Sequence, residues 1–152
     1  MIESDRNAEK TSRKQSEARR TLKLLKRLTL GFRARLDEDL RPLGITLAQI
    51  RVLHAIKSEA TASGAQVARE CSITPQTAHG LILRAEKNGW IVRQQDATNE
   101  RRRIASLTAA GEKLLQETDV VVQKIEMDLW EGVKRSDLKA MNDLLEMAAE
   151  RL

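Results

Sequence analysis

The run from Ile73-Thr74-Pro75 to Asn88-Gly89 constrains this chain more than any other stretch, because it fixes both ends of a short helix. Thr74 is a good N-cap. Pro75 suits the first helical position, where a missing N–H costs nothing, and Ile73 is placed to staple onto Ala78. Gly89 enters a left-handed C-cap without steric cost. Immediately afterwards the hydrophobic period drops to two. Trp90-Ile91-Val92 and Ile104-Ala105-Ser106-Leu107 read as strands, and the segment between them holds Asp96, Asn99, Glu100 and three consecutive arginines, Arg101, Arg102 and Arg103. A β-hairpin is the economical reading.

Upstream, Leu22, Leu25, Leu28, Phe32, Leu36 and Leu40 recur every three or four residues and make one stripe of a long helix, ended by Arg41-Pro42-Leu43-Gly44. Thr46 reads as the cap of a second helix with Ile50, Leu53, Ala55 and Ile56 buried. Ser63 caps a third, in which Gly64, Val67, Ala68 and Cys71 share a face. Thr108 caps a helix whose stripe runs through Thr118, Val121, Val122, Ile125 and Leu129. A last helix starts near Ser136, with Leu138, Met141, Leu145, Ala148 and Leu152 on one side. Residues 1–18 are almost wholly polar and lack periodicity, so a disordered tail is expected there. Its cationic half is placed to brush DNA, although a solvated tail is the plainer reading. The fold class is therefore mainly α with a small β-hairpin.

The 152 residues suffice for one compact domain with a real core. Lys and Arg outnumber Asp and Glu by 27 to 22, and this net charge of +5 favours an anionic partner. No apolar run of membrane-spanning length and no secretory signal occurs, so no membrane partner and a cytoplasmic protein are expected. The lone Cys71 rules out an intrachain disulfide. With only His54 and His79 beside it, a Cys/His metal site has too few ligands. No catalytic constellation or glycine-rich phosphate loop is visible either, and His54, among Leu53, Ala55 and Ile56, is expected to be a buried, hydrogen-bonded histidine. No enzymatic role and no cofactor are expected.

Three short helices followed by a hairpin is the order of a winged helix-turn-helix, whose third helix enters the major groove while the hairpin touches the flanking backbone or minor groove. At 100° per residue, Ala78, Leu81, Ile82 and Ala85 face the core. Gln76, Gly80, Leu83 and Lys87 then face outward, flanked by Thr77, His79 and Arg84. Gln76 and Thr77 suit base edges, and Arg84 and Lys87 suit phosphates. Gly80 permits close approach of the backbone to DNA. Guanidinium groups on the hairpin suit a narrow A·T-rich minor groove. Arg101 lies nearest the expected apex, and alternation turns Arg101 and Arg103 one way and Arg102 the other. The candidate DNA-binding set is thus Thr74, Gln76, Thr77, His79, Gly80, Arg84, Lys87, Arg101, Arg102 and Arg103.

From Leu43 to Gly111 these residues resemble the MarR family of bacterial transcriptional regulators. The resemblance is carried by Leu43-Gly44-Ile45-Thr46-Leu47-Ala48-Gln49, Ile73-Thr74-Pro75-Gln76-Thr77, Glu86-Lys87-Asn88-Gly89-Trp90-Ile91-Val92-Arg93, and Asp96 through Leu107-Thr108-Ala109-Ala110-Gly111. It implies a homodimeric repressor in which residues 19–45 and 109–152 form a helical dimerisation region and residues 46–108 the winged helix-turn-helix. It also implies a pseudo-palindromic double-stranded DNA operator, released by a small phenolic or other anionic effector. Three features depart from the family pattern. His79-Gly80 stands where a small polar residue and an arginine are usual, Asn99 replaces an acid ahead of Arg101, and tyrosine is absent. Cys71, on an apolar helix face, is expected to pack rather than to sense oxidants. The competing reading is a winged-helix protein-interaction module without specific DNA binding.

Overall fold

The computed structural model describes residues 2–59 and 62–152, with side chains at 10–59, 62–99, 101 and 103–152. Helix α1 runs Ile2–Leu40 and passes through a 3-10 turn at Arg41–Leu43, which Gly44 closes at φ +67°. Then come α2 (Leu47–Ser58), strand β1 (Ala62–Ser63), α3 (Gly64–Glu70) and α4 (Pro75–Lys87). Strands β2 (Ile91–Asp96) and β3 (Asn99–Leu107) form the hairpin, and α5 (Ala109–Leu129) and α6 (Arg135–Ala149) complete the chain.

The caps act where their residue types place them. Thr46 and Ser63 each make a reciprocal box, with Gln49 and Gln66 respectively returning a side-chain oxygen to the cap's own N–H at 2.9 Å. Thr74 Oγ1 accepts from Thr77 N, and Thr108 Oγ1 accepts from Gly111 N while donating to Gly89 O at 2.6 Å. Thr108 therefore joins the start of α5 to the turn after α4, and this fixes the hairpin between two helices.

The sheet is antiparallel in the order β1-β3-β2. Ala62 pairs with Ala105 and Ser63 with Ile104, so the two-residue β1 adds a third strand to the expected hairpin. The core lies among α1 to α5 and the sheet: Leu36 and Leu40, Leu53 and Ile56, Val67, Ala78 and Ile82, Ile91, and Leu115 are all buried. The apolar stripe of α1 is buried only at its C-terminal end, Phe32 being half-buried and Leu22 exposed.

Two expectations are corrected. Residues 2–18, read as a disordered tail, belong to the single helix α1. Lys, Arg, Glu, Gln and Ala are strong helix formers, and no Gly or Pro interrupts them, so helix propensity acts here without the periodicity that packing imposes. His54 is not buried: its side chain is 47% exposed, and Nε2 lies 3.5 Å from Asp119 Oδ1 on α5. No helix among the described residues is long and apolar enough to cross a membrane.

Candidate nucleic-acid interface

Helix α4 presents two chemically distinct faces. Ala78, Ile82 and Ala85 are buried and Leu81 is partly buried, whereas Gln76, Thr77, His79, Gly80, Leu83, Arg84 and Lys87 are exposed. Ala78 and Ile82 are only four residues apart, which leaves a narrow seam on the core and most of the circumference free. The first turn is polar: Gln76 stands clear, while Thr74 Oγ1 and Thr77 Oγ1 are hydrogen-bonded to each other at 2.8 Å. Thr74 is thereby held as a cap, and its capacity for an outside partner is reduced.

The turn between α3 and α4 is built by Cys71 to Thr74. Ile73 N donates to Ala68 O at 3.0 Å, and Ser72 adopts φ +52°, a left-handed conformation at a residue other than glycine. Arg51 Nη2 donates to Cys71 O at 2.7 Å and ties this turn to α2. Cys71 is buried, and burial pushes its thiol pKa above the ordinary value, so little nucleophilic thiolate forms.

On the wing, Gln95 pairs with Arg103 and Arg93 with Ala105. Alternation along β3 puts Arg103 on the same side as the buried Ala105, and the register then breaks between Gln95 and Asp96, which pairs with Asn99, so the expected alternation does not carry through to Arg101. Arg93, Gln94, Gln95, Arg101 and Arg103 line a polar hollow of about 450 Å³. The Arg102 side chain lies outside the described residues. The hairpin reverses at Ala97-Thr98, where Asp96, only 8% exposed, accepts from Thr98 N at 2.9 Å and from Thr98 Oγ1 at 2.7 Å. Asp96 is thus a turn-forming acid. Asn99 Oδ1 accepts from Arg101 N at 3.1 Å and holds the backbone of the wing arginine.

One partnership escaped the sequence reading. Arg93 Nη2 lies 2.6 Å and Nε 2.8 Å from Glu86 Oε2, joining the last turn of α4 to β2. The hydrogen bond from Arg93, reinforced by the charges of Arg93 and Arg103, holds the Glu86 carboxyl below the usual carboxylate range. A signal was present in the spacing, an acid and a base flanking the Gly89 turn. Among the described residues, no group of His, Cys, Asp and Glu could hold a metal ion.

Two cross-links connect this unit to α5: His54 to Asp119, and Lys57 Nζ to Glu112 Oε2 at 2.8 Å. Beyond them the terminal helices show an apolar surface. Thr21, Leu24, Leu28, Leu129, Trp130 and Leu145 contribute to a groove of about 560 Å³. No residue of α6 is buried, and Leu144 is 61% exposed.

A trihelical unit with a wing, carried on long terminal helices, defines the winged helix-turn-helix class of DNA-binding regulators. The chain belongs to the MarR family of transcriptional regulators: that family's profile matches residues 43–102. The HTH-type transcriptional repressor Rv2887 of Mycobacterium tuberculosis is 31% identical over 100 residues, spanning 66% of this chain and 72% of its own. Among solved structures, a cysteine-to-serine mutant of E. coli MarR in complex with operator DNA is similar at TM-score 0.72 and 22% identity, over 83% of this chain and 91% of that one. CouR of Rhodococcus jostii, bound to p-coumaroyl-CoA, is similar at TM-score 0.69 and 24% identity, over 83% and 89%. At these identities the two structures establish the fold.

Proposed function

We propose that this protein is a homodimeric repressor that binds a pseudo-palindromic operator and is released by a small phenolic or other anionic effector. The observation that carries the reading is the exposed polar first turn of α4 standing beside a cationic wing on one rigid unit. In this reading Gln76 and Thr77 contact base edges, His79 and Gly80 lie along the groove, and Arg84 and Lys87 hold phosphates. Arg101, Arg102 and Arg103 supply the wing, and Thr74 orients the first turn. Dimerisation follows from α6, whose apolar Leu144 and Met147 are left exposed by the described residues. A two-fold axis through the terminal helices sets two recognition helices about one duplex turn apart. The MarR complex with operator DNA, the CouR complex with p-coumaroyl-CoA and the repressor name of the mycobacterial relative support this reading.

One observation favours the competing protein-interaction module: Leu83 places an apolar side chain, 41% exposed, in the middle of the outer face of α4. Salt separates the two. Genomic fragments selected by the protein are expected to share an inverted repeat, and binding to them to weaken steeply with added salt as the release of counterions becomes less favourable. Light scattering is expected to give twice the chain mass, and adding a phenolic acid to dissociate the complex. A monomer, or selected fragments with no common sequence, would reject the proposal.

A further inference from the structure

The chain's net positive charge is concentrated in one place. Residues 10–27 of α1 carry eight Lys and Arg against a single Glu, whereas the other 134 residues carry 19 Lys and Arg against 21 Asp and Glu. Residues 28–152 balance at 18 Lys and Arg against 18 Asp and Glu, and residues 1–9 carry one Arg against three acids, so the net +5 is a neutral body, a helical segment of charge +7 and a short acidic stretch of charge −2 before it. Every residue from Lys10 to Arg20 is exposed, and none of them except Ala18 is apolar. Packing against the body does not account for the composition of this segment.

The arrangement of the cations points to a particular kind of partner. With 3.6 residues per turn, Lys10, Arg13, Lys14, Arg19, Arg20, Lys23, Lys26 and Arg27 spread over about 240° of the helix circumference. The uncharged strip left between them runs through Thr11, Gln15, Ala18, Leu22 and Leu25 and continues the apolar stripe toward Phe32. A membrane-surface helix needs an apolar face opposite its cations, and residues 10–20 have none. An acidic protein surface would meet one face of the helix. Charge on two-thirds of the circumference instead matches a helix flanked by two phosphate walls, as in the major groove of a duplex about 12 Å wide. Like charges three and four residues apart, such as Lys10 with Lys14 and Lys23 with Arg27, repel one another in the free helix, and a polyanion relieves that repulsion.

We infer that residues 10–27 of α1 form a second DNA-binding element, independent of the winged helix, that holds duplex phosphates without regard to sequence. The segment spans about 26 Å at 1.5 Å per residue, enough to follow most of a duplex turn. The inference goes beyond operator recognition and does not depend on it. The arm supplies affinity and the ability to capture any duplex, while selection between sequences remains with α4 and the wing.

The test uses the full chain and a labelled duplex of random sequence, titrated by fluorescence anisotropy over a salt series. In a variant carrying K10Q, R13Q, K14Q, R19Q and R20Q, the slope of log K against log salt is expected to shrink by about 4.5, near 0.9 for each phosphate no longer neutralised. Affinity at low salt should fall by at least about a hundredfold. A charge-preserving variant with R13K, R19K and R20K should keep the parent slope, and circular dichroism should show both variants folded. The same difference should persist in an R101A background, so failure of the wing assignment would not mimic failure of the arm. An unchanged slope overturns the inference. So does conversion of the dimer to monomer by the five glutamines, which would make the arm a subunit clasp. Loss of binding to anionic phosphatidylserine vesicles alone, with the duplex slope intact, would likewise overturn it.

Discussion

Arg93 grips one oxygen of Glu86 with two nitrogens, at 2.6 and 2.8 Å, and so ties the last turn of the recognition helix to the first strand of the wing. The Arg93 side chain is 16% exposed and that of Glu86 35%, so the pair is partly shielded and helps to set the angle between the helix and the hairpin. Around the Gly89 turn the backbone adds Trp90 N donating to Ala85 O at 2.9 Å. Helix α4 and the wing are thus held as one unit, and a change at Glu86 is expected to be felt on the wing.

Replacing Glu86 by Gln keeps the shape and removes the charge that Arg93 was paired with. The folded carboxyl titrates below its unfolded range. Its contribution to stability is therefore fully present above the unfolded pKa and is lost as pH falls through the folded one. Thermal unfolding is expected to show E86Q melting below the parent at pH 7, with the gap closing in acid. A gap that widened in acid would mean that Glu86 is destabilising where it stands.

Gly111 and Gly80 should respond to alanine in opposite ways. A Cβ on Gly111 would run into the Trp90 carbonyl, a backbone group that cannot turn aside, so G111A should cost about 1–3 kcal/mol or more. At Gly80 nothing lies within 4 Å of the added methyl, and the helix gains propensity. G80A should therefore stabilise by up to about 1 kcal/mol. Denaturant midpoints measure both. If G80A stabilises the fold yet weakens operator binding, the glycine serves close approach to DNA; unchanged affinity would assign it no role there.

Much of this architecture was legible because its signals are local. Thr46, Ser63, Thr74 and Thr108 all cap the helices they precede, since a side-chain oxygen and the N–H three residues on are set by neighbouring residues alone. The β1 strand was not legible: two residues cannot show a period, and what makes Ala62 and Ser63 a strand is the edge of β3. His54 was misread from its apolar neighbours, although it follows the exposed line of Arg51 and Ser58 on α2 and not that of Leu53 and Ile56. At the interface, the faces of α4 followed from helical geometry. The Glu86–Arg93 pair depends on how the chain returns after Gly89, which composition does not reveal.

Ser72 occupies the left-handed region at φ +52° in the turn between α3 and α4, where an L side chain costs about 1–2 kcal/mol. Glycine would remove that cost and give back part of it as extra freedom in the unfolded chain. S72G should raise stability by about 0.5–1 kcal/mol in urea denaturation. S72V, with its branched side chain, should lower it. If S72G were destabilising, the Ser72 side chain would have a structural role greater than its strain.

Arg101 and Arg103 line one hollow on the wing but stand on either side of the register break in β3. Arg103 adds, behind the hydrogen bond and charge of Arg93, to the lowering of the Glu86 carboxyl on α4, while Arg101 follows the hairpin turn, where its backbone N–H donates to Asn99 Oδ1 at 3.1 Å. R101A is expected to weaken operator binding by about 1–3 kcal/mol, about fivefold to 150-fold at fixed salt, with the dimer mass unchanged. R103A should cost less than R101A, because Arg103 lies farther from the hairpin turn at Ala97-Thr98 and within the field of an acid on α4. Fluorescence anisotropy on a selected operator measures both losses under one buffer. Equal losses would mean that position on the hairpin does not discriminate between the two arginines, and no loss in R101A would remove Arg101 from the DNA contact.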